Sequence, residues 1–544
     1  MTTLDAEQAR ARLDALAALL KAQRYDDALL AADTMLAARL VHPLPLAVSA
    51  AARQQAGLFD EAILLWEHRA RMMAGEAQGW VPLAACLFAA RRPELALEAW
   101  DKALALAPTD PAILAGKAGT LRGLNQGEAA RALYRQALAA APGQFEPGFG
   151  LVQLALEAGD HEEAEAISAR LLVAHPDHPG AAFLAARVAV DAGQHAVALA
   201  RLGPLLARPS LAPEQRADAL LLRSVAEDGL GRAADAFASA AQGKAIQRSL
   251  FAQRAAGRED EVSKLRRLGA WFERADVADW RGAPARRQPE EPSAHVFLAG
   301  FPRSGTTLLE QVLAGHPDVV ALEEAPTFAD AYGEFMTGDA GLERLARLSE
   351  QDQATWRARY WATVRREGAE PAGKVFLDKA PAGTIYLPLI AKLFPDAKVL
   401  FAVRDPRDVV LSCFRNSFQL NALTYAFTDL AQTAACYGAC MAMAEVYRTA
   451  LPLDLREVRH ERLVEDFDAE VGEICDFLGI EATAGMADIA ATAAGRTVRT
   501  PSARQVRAGL NRGGLARWRA YADELAPAML ALAPWVKRFG YEGE

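Results

Sequence analysis

Cysteine is scarce in this sequence, and its scarcity argues against two kinds of site. The 544 residues include five cysteines at irregular intervals, too few and too scattered for the disulfide framework of a small secreted domain. Cys436 and Cys440 lie one helical turn apart, but no histidine or further cysteine stands near them in the sequence to complete a zinc site. We therefore predict no metal, and we expect the protein to work in a reducing cytoplasm.

An excess of basic charge and long apolar runs are also missing. The chain carries 60 Lys and Arg against 69 Asp and Glu, a net charge of −9, which indicates no nucleic-acid partner. No apolar run approaches the roughly 18 residues that a membrane-spanning helix needs. The N-terminal stretch is polar and has no apolar core of the kind found in a signal peptide. We predict a protein without a membrane span.

The first half of the chain does contain a periodic pattern of alanines. Seven alanines recur at an interval of 34 residues, which lengthens to 38 before the last one. Each lies five residues after a Gly, Gln, Arg or Asn that suits a turn. A small residue is needed where two paired helices approach most closely, so the pattern predicts helix pairs joined by short turns. The alanines are Ala28, Ala62, Ala96, Ala130, Ala164, Ala198 and Ala236.

This period resembles that of tetratricopeptide repeats. The resemblance implies an all-α superhelix of about seven repeats over residues 1–255, with a concave groove. Such a groove binds an extended peptide or a partner protein, or else the array serves only as an assembly scaffold. The sequence leaves these alternatives open. Residues 256–293 are predicted to be a helical connector and linker, because they turn from a charged helical stretch to one rich in Pro, Arg and Glu.

The chemistry is predicted to lie after this linker, in a strand, a glycine-bounded loop and a helix. Val296 to Ala299 are predicted to form a buried strand, and the helix is predicted from Thr306 onward. Between them, Gly300 and Gly305 bound a tight turn. Backbone N–H groups at such a helix N-terminus face an anion, so this arrangement predicts a phosphate-binding site.

The loop differs from that of a nucleotide triphosphatase in the placement of its positive charge. A P-loop has Lys directly after the second glycine, whereas this chain has Thr306 there and carries Arg303 inside the loop. This difference argues against a P-loop kinase or NTPase. The run from Phe301 to Leu308 resembles instead the 5′-phosphosulfate loop of sulfotransferases, which use 3′-phosphoadenosine 5′-phosphosulfate (PAPS).

Polar side chains are predicted at the carboxyl ends of three further strands. Glu323 and Glu324 follow the apolar run 319–322, Lys379 ends the run 374–379, and Arg404 follows the run 398–403. In a parallel sheet these ends meet at one edge, where ligands bind. Adjacent residues of a strand point to opposite faces, so we expect at most one of the two glutamates to face the site.

The region from about Val296 to Tyr541 resembles the sulfotransferase domain of tyrosylprotein sulfotransferases, and of bacterial proteins that join tetratricopeptide repeats to such a domain. The resemblance implies an α/β P-loop-like domain with a central parallel sheet over residues 294–544. It assigns Glu324 as general base, and Lys379 and Arg303 as catalytic cations. The residues that it implies for cofactor binding are Arg303, Ser304, Gly305, Thr306, Thr307, Arg404, Ser412, Ser502 and Arg507.

The chain departs from that family at positions near the predicted site. His460 stands where the family usually has Tyr, Leu322 replaces the Gly before the glutamate pair, and 325–327 replace a Thr-Arg pair. The acceptor of the sulfuryl group therefore stays open. We predict a PAPS-dependent sulfotransferase whose repeats recruit a protein tyrosine. The alternatives are transfer to a carbohydrate or small molecule, and a catalytically inactive repeat scaffold.

Overall fold

The computed structural model describes residues 6–124, 126–276, 280, 282–283, 291–494, 509–510 and 512–542. The chain divides into two compact units, Met1–Val188 and Ala189–Glu544. The described part of the first unit is made of helices, and each of the first nine packs on the next one. They are Ala6–Lys21, Tyr25–Ala37, Pro43–Gln55, Phe59–Met72, Ala77–Ala89, Pro93–Leu106, Pro111–Gly123, Gly127–Ala140, Phe145–Ala158, His161–Ala174 and Pro179–Asp191, the last of which crosses into the second unit.

The alanine pattern and the turn residues behave as the repeat prediction requires. All seven periodic alanines are fully buried. The turn residues that the structure describes have left-handed backbone with φ between 57° and 77°, a conformation that favours glycine. They are Gln23, Gly57, Arg91, Gly159, Gly193 and Gly231. Asn125 lies outside the described residues.

The second unit opens with helices that the sequence assigns partly to the repeat array. They are His195–Leu206, Pro213–Gly229, Ala233–Ala255 and Glu261–Phe272. Three of them lie before residue 256, yet they group with the part of the chain that holds the sheet. The predicted boundaries at residues 255 and 294 stay predictions.

Within the described residues, five strands form one sheet with every pair parallel. The strands are β1 Ala294–Gly300, β2 Val319–Glu323, β3 Val375–Lys379, β4 Lys398–Val403 and β5 Asp454–Arg459, and they lie in the order β2-β3-β1-β4-β5. The connections after the neighbouring strands β1 and β4 run in opposite directions across the sheet. A crevice forms at such a reversal, outside the carboxyl ends of the strands. The loops after β1 and β4 therefore meet there.

Helices cover both faces of this sheet. Alternate residues of β1 enter separate cores, Phe297 and Ala299 on one face and Val296 and Leu298 on the other. The described helices after β1 are Thr306–Ala314, Ala329–Phe335, Asp339–Ala346, Glu350–Arg366, Leu387–Leu393, Pro406–Arg415, Ala422–Ala426, Leu430–Ala450, His460–Glu465, Phe467–Leu478, Ile489–Ala494 and Ala522–Arg538. The predicted fold class, a helical repeat superhelix followed by a parallel α/β domain, is confirmed.

No helix in the described part of the chain is long and apolar enough to cross a membrane.

Candidate active site

The loop after β1 is held in the shape of a phosphate cradle by two left-handed residues. Arg303 has φ 72° and Gly305 has φ 95°, and Gly305 precedes the first residue of helix Thr306–Ala314. The first N–H groups of a helix have no partner within it, so the N-terminus of this helix suits the binding of an anion in the crevice. Ser304, Thr306 and Thr307 are each less than 5% exposed, which fixes the loop against the sheet.

A close contact at the end of β5 leaves no room for a side chain at Gly305. A Cβ atom at this position would lie 2.5 Å from Nδ1 of His460, which begins the helix after β5. His460 therefore packs directly on the loop. Burial, together with the nearby Arg404 and Arg303, lowers the pKa of His460 to about 3. The ring is neutral at neutral pH.

Arg303 and Arg404 come together as the sequence predicts. Arg303 Nε donates to Ser412 Oγ at 2.9 Å, and Arg404 Nη1 donates to the carbonyl of Arg303 at 3.3 Å. Burial lowers the pKa of Arg303 to about 10, to which Arg404 contributes, so its guanidinium stays charged at neutral pH. The side chain of Asn416, one turn after Ser412, donates to Ser412 Oγ at 3.2 Å. Buried guanidinium groups and a hydroxyl make this side of the crevice fit a phosphate.

Lys379, at the end of β3, lies among three carboxylates of the described residues. Its Nζ is 2.9 Å from Glu324 Oε1, 3.1 Å from Glu323 Oε1 and 3.2 Å from Glu310 Oε2. Burial opposes the charge on this ammonium, but the three carboxylates outweigh burial and raise the pKa of Lys379 above its usual value. The lysine is therefore a fixed cation.

The expectation that at most one of Glu323 and Glu324 faces the site is wrong, because both contact Lys379. Strand β2 ends at Glu323, and Glu324 then adopts a left-handed backbone with φ 48°. This turn breaks the alternation of the strand and brings the second carboxylate back to the same side. The two differ in access, since the side chain of Glu324 is 45% exposed and that of Glu323 is 16% exposed.

A buried hydrogen-bond network anchors the segment that follows Glu324. Asp378 Oδ2 accepts from Thr327 Oγ1 at 2.8 Å and from Tyr360 OH at 2.7 Å. Burial raises the pKa of Asp378 to about 6, although both hydrogen bonds act in the opposite direction. Because Asp378 precedes Lys379, the network ties the glutamate segment to the lysine strand.

A cleft opens beside the loop, next to Gly300–Pro302. Its volume is 260 Å³, near the lower limit of ligand pockets, which span about 300–1,000 Å³. Most of the lining is apolar or aromatic. Its principal side chains are Leu265, Phe301, Tyr332, Ile385, Tyr386 and Leu423, with Glu261, Lys264 and Asn421 as polar members.

The structure brings together the described members of the predicted site and adds residues that the sequence did not single out. Ser502 and Arg507 lie outside the described residues. Glu310 was missed, although one signal was available: it is the charged residue in a helix whose first eight residues are all buried. Asn416 was missed because its contact with Ser412 depends on where the helix that carries Ser412 ends.

Comparisons with known proteins match two parts of the chain to families. The sulfotransferase family matches residues 295–484, and the tetratricopeptide repeat matches residues 121–188. The chain carries a sulfotransferase-family domain behind tetratricopeptide repeats. The loop, Glu324, Lys379, Arg404 and Ser412 all lie within the matched segment of the sulfotransferase domain.

Relatives of this chain are similar to it at low identity. An uncharacterized protein of Aquifex aeolicus is 27% identical over 268 residues, which cover 47% of this chain and 34% of that protein. The match thus spans about a third of that relative's length. A putative protein-tyrosine sulfotransferase of Caenorhabditis briggsae is 22% identical over 254 residues, which cover 45% of this chain and 89% of that protein. The solved sulfotransferase domain of the Synechococcus PCC 7002 olefin synthase is 23% identical, covers 46% of this chain and 98% of its own, and has a TM-score of 0.31.

Proposed function

We propose that this protein transfers a sulfuryl group from PAPS to an acceptor hydroxyl. The observation that carries the proposal is the contact between Lys379 and Glu324, a fixed cation and an accessible carboxylate at the same sheet edge as the phosphate loop. PAPS would supply the sulfuryl group together with a leaving phosphate.

The residues present fit the two ends of that donor. The loop backbone with Arg303, Ser304, Gly305, Thr306 and Thr307 would hold its 5′ side. Arg404 and Ser412 would hold its 3′-phosphate, because Arg404 is nine-tenths buried and directed to the same loop. Ser502 and Arg507, assigned by family resemblance, belong to the same proposal.

Glu324 would act as the general base. A carboxylate can take the proton from a hydroxyl as it attacks, and Glu324 is the more exposed of the two candidates. Its Oε1 faces Lys379 at 2.9 Å. Lys379 and Arg303 would stabilise negative charge as it develops, which is the largest contribution to catalysis in many enzymes.

We infer that the acceptor is a phenolic hydroxyl, as in a protein tyrosine that the repeats recruit. The aromatic cleft beside Gly300–Pro302 supports this choice, because Tyr332 and Tyr386 offer ring faces and Lys264 offers a polar contact. The cytoplasmic location and the absence of a metal stay predictions.

Ligand-dependent melting tests the proposal. We expect adenosine 3′,5′-bisphosphate to raise the melting temperature without a metal, by the equivalent of about 2.7 kcal/mol at 100 times its Kd. Arg404→Ala should abolish the rise. Stabilisation only by ATP with Mg²⁺ would instead indicate a phosphoryl-transfer enzyme, and no response to either would favour a scaffold. Sulfation assays with tyrosine peptides and glycans in parallel then decide the acceptor.

A further inference from the structure

Helix Ala233–Ala255, the last helix predicted for the repeat array, presents one face to the sulfotransferase domain. Ala236, Ala240 and Lys244 are spaced by four residues and so share that face. All three are buried, Lys244 to 99%. The face packs against Leu411 and Phe414 of helix Pro406–Arg415, which carries Ser412. A lysine usually lies at the surface, so its burial requires a reason.

The ammonium of Lys244 is directed to the residues that flank Ser412. Its Nζ donates to the carbonyl oxygen of Asn416 at 2.6 Å. Asn416 in turn donates to Ser412 Oγ at 3.2 Å, and Arg303 donates to the same oxygen at 2.9 Å. Lys244 is therefore linked through one residue to the hydroxyl that both Asn416 and Arg303 contact.

Lys244 also belongs to a cluster of positive charge. Lys244, Arg303 and Arg404 all act electrostatically on the thiol of Cys413, which lies between Ser412 and Phe414 in the same helix. Burial raises the pKa of Cys413 to about 12, so the thiol stays neutral and does not balance this charge. The three cations therefore all lie near this thiol, and Asp408 lies 3.7 Å from Arg404.

Lys244 has no carboxylate partner among the residues that the structure describes; its Nζ contacts the Asn416 carbonyl and lies 5.7 Å from the centre of the Phe418 ring. Burial lowers the pKa of Lys244 to about 8, which reflects the cost of this buried charge. A buried charge is costly unless it is paired. An anion bound beside Arg303, Arg404 and Ser412 would offset that cost, and a phosphate carries the required charge.

We infer that Lys244 is a binding determinant for the 3′-phosphate of the donor, supplied by a helix that lies outside the predicted sulfotransferase domain. This inference rests on the proposed function. Lys244 contributes its charge to the phosphate and its hydrogen bond to the orientation of Asn416 and Ser412.

Two ligands that differ only in the 3′-phosphate test the inference on the full-length protein. Calorimetry would compare adenosine 3′,5′-bisphosphate with adenosine 5′-monophosphate for the wild type and for Lys244→Met. We expect Lys244→Met to weaken the bisphosphate at least about tenfold, the size of a charge-assisted contact, and to change the monophosphate less than about twofold. Lys244→Gln keeps a hydrogen-bond donor but no charge, and we expect it to weaken the bisphosphate in the same way. It replaces Lys244→Met in the test if the methionine variant does not fold.

Lys392→Met is the matched control. Lys392 is also buried and donates to a backbone carbonyl, that of Ala346 at 2.6 Å, but it lies on the helix Leu387–Leu393. This variant should bind both ligands as the wild type does. Equal weakening of both ligands by Lys244→Met, or unchanged affinity for the bisphosphate, would overturn the inference. A wild type that does not prefer the bisphosphate would instead overturn the proposed function.

Discussion

Glu324 and Lys379 are connected by a backbone hydrogen bond and by a side-chain ion pair. The backbone N–H of Glu324 donates to the carbonyl oxygen of Lys379 at 2.8 Å, and Lys379 Nζ lies 2.9 Å from Glu324 Oε1. The backbone bond continues the pairing of β2 and β3 by one residue, while the left-handed φ of Glu324 turns its side chain toward the lysine. A strained backbone that persists at a charged pair suggests a functional role for the geometry.

Replacing Glu324 by Gln should lower turnover by about 10²–10⁴-fold, the contribution of a general base. Binding of adenosine 3′,5′-bisphosphate should stay within about twofold, because the phosphate contacts are elsewhere. Single-turnover sulfation and calorimetry on the same preparation measure both quantities.

Glu323→Gln is the matched control for this change, since Glu323 contacts the same ammonium at 3.1 Å but is less exposed. We expect it to lose less than about tenfold in turnover. A larger loss for Glu323→Gln than for Glu324→Gln would exchange the two assignments.

Lys379 has a structural role besides its proposed chemical one. Lys379→Met leaves the carboxylates of Glu310, Glu323 and Glu324 close together without their shared cation. Removing one partner of a buried ion pair costs about 3–5 kcal/mol, so we expect a loss of stability of that order in urea unfolding. Turnover should also be lost.

The double variant Lys379→Met with Glu310→Leu separates these roles. It replaces a fully buried pair by apolar side chains, a change that is often neutral for stability. We expect most of the stability to return while the enzyme stays inactive. Return of activity together with stability would show that Lys379 acts only on the fold.

The sequence predicted the strands well because each is a short apolar run with polar residues at its end. The predicted runs 319–322 and 398–403 match β2 and β4 within one residue. The site residues of the loop followed from one local motif. Glu310 and Lys244 could not be found in this way, because their roles come from contacts with residues 69 and 172 positions away in the chain. The contact of both Glu323 and Glu324 with Lys379 was not predicted, because the left-handed φ of Glu324 overrides strand alternation.

Asp378 should give the domain a measurable pH dependence. Its pKa is raised from 3.8 to about 6 by burial, so the folded state binds the proton more tightly than the unfolded chain. Stability that is present below pH 4 is therefore lost as the pH rises to 6, and the loss persists at pH 7. A shift of two units corresponds to about 3 kcal/mol.

Asp378→Asn removes this titration while its amide oxygen still accepts from Thr327 and Tyr360. Its stability relative to the wild type should rise by up to about 3 kcal/mol between pH 3.5 and pH 7 in chemical unfolding. Asp330→Asn, an exposed substitution in the same unit, controls for the loss of one negative charge. A flat difference between Asp378→Asn and wild type across this range would contradict the burial argument.

Fragments of the chain decide where the sulfotransferase domain begins. Asp228, on helix Pro213–Gly229, pairs with Arg415 at 3.2 Å and with Arg517 at 2.5 Å. The next helix covers Leu411 and Phe414. A fragment of residues 294–544 would leave both arginines without this partner and expose the two apolar side chains, so we expect it to aggregate or to melt well below the full chain.

A fragment of residues 189–544 keeps both helices and serves as the control. We expect it to melt cooperatively and to bind adenosine 3′,5′-bisphosphate with the affinity of the full chain, because Lys244, Arg303, Arg404 and Ser412 are all present. Equal melting temperature and equal affinity for 294–544 would instead assign those helices to the repeat array, as the sequence predicts, and would leave Lys244 without a role in binding.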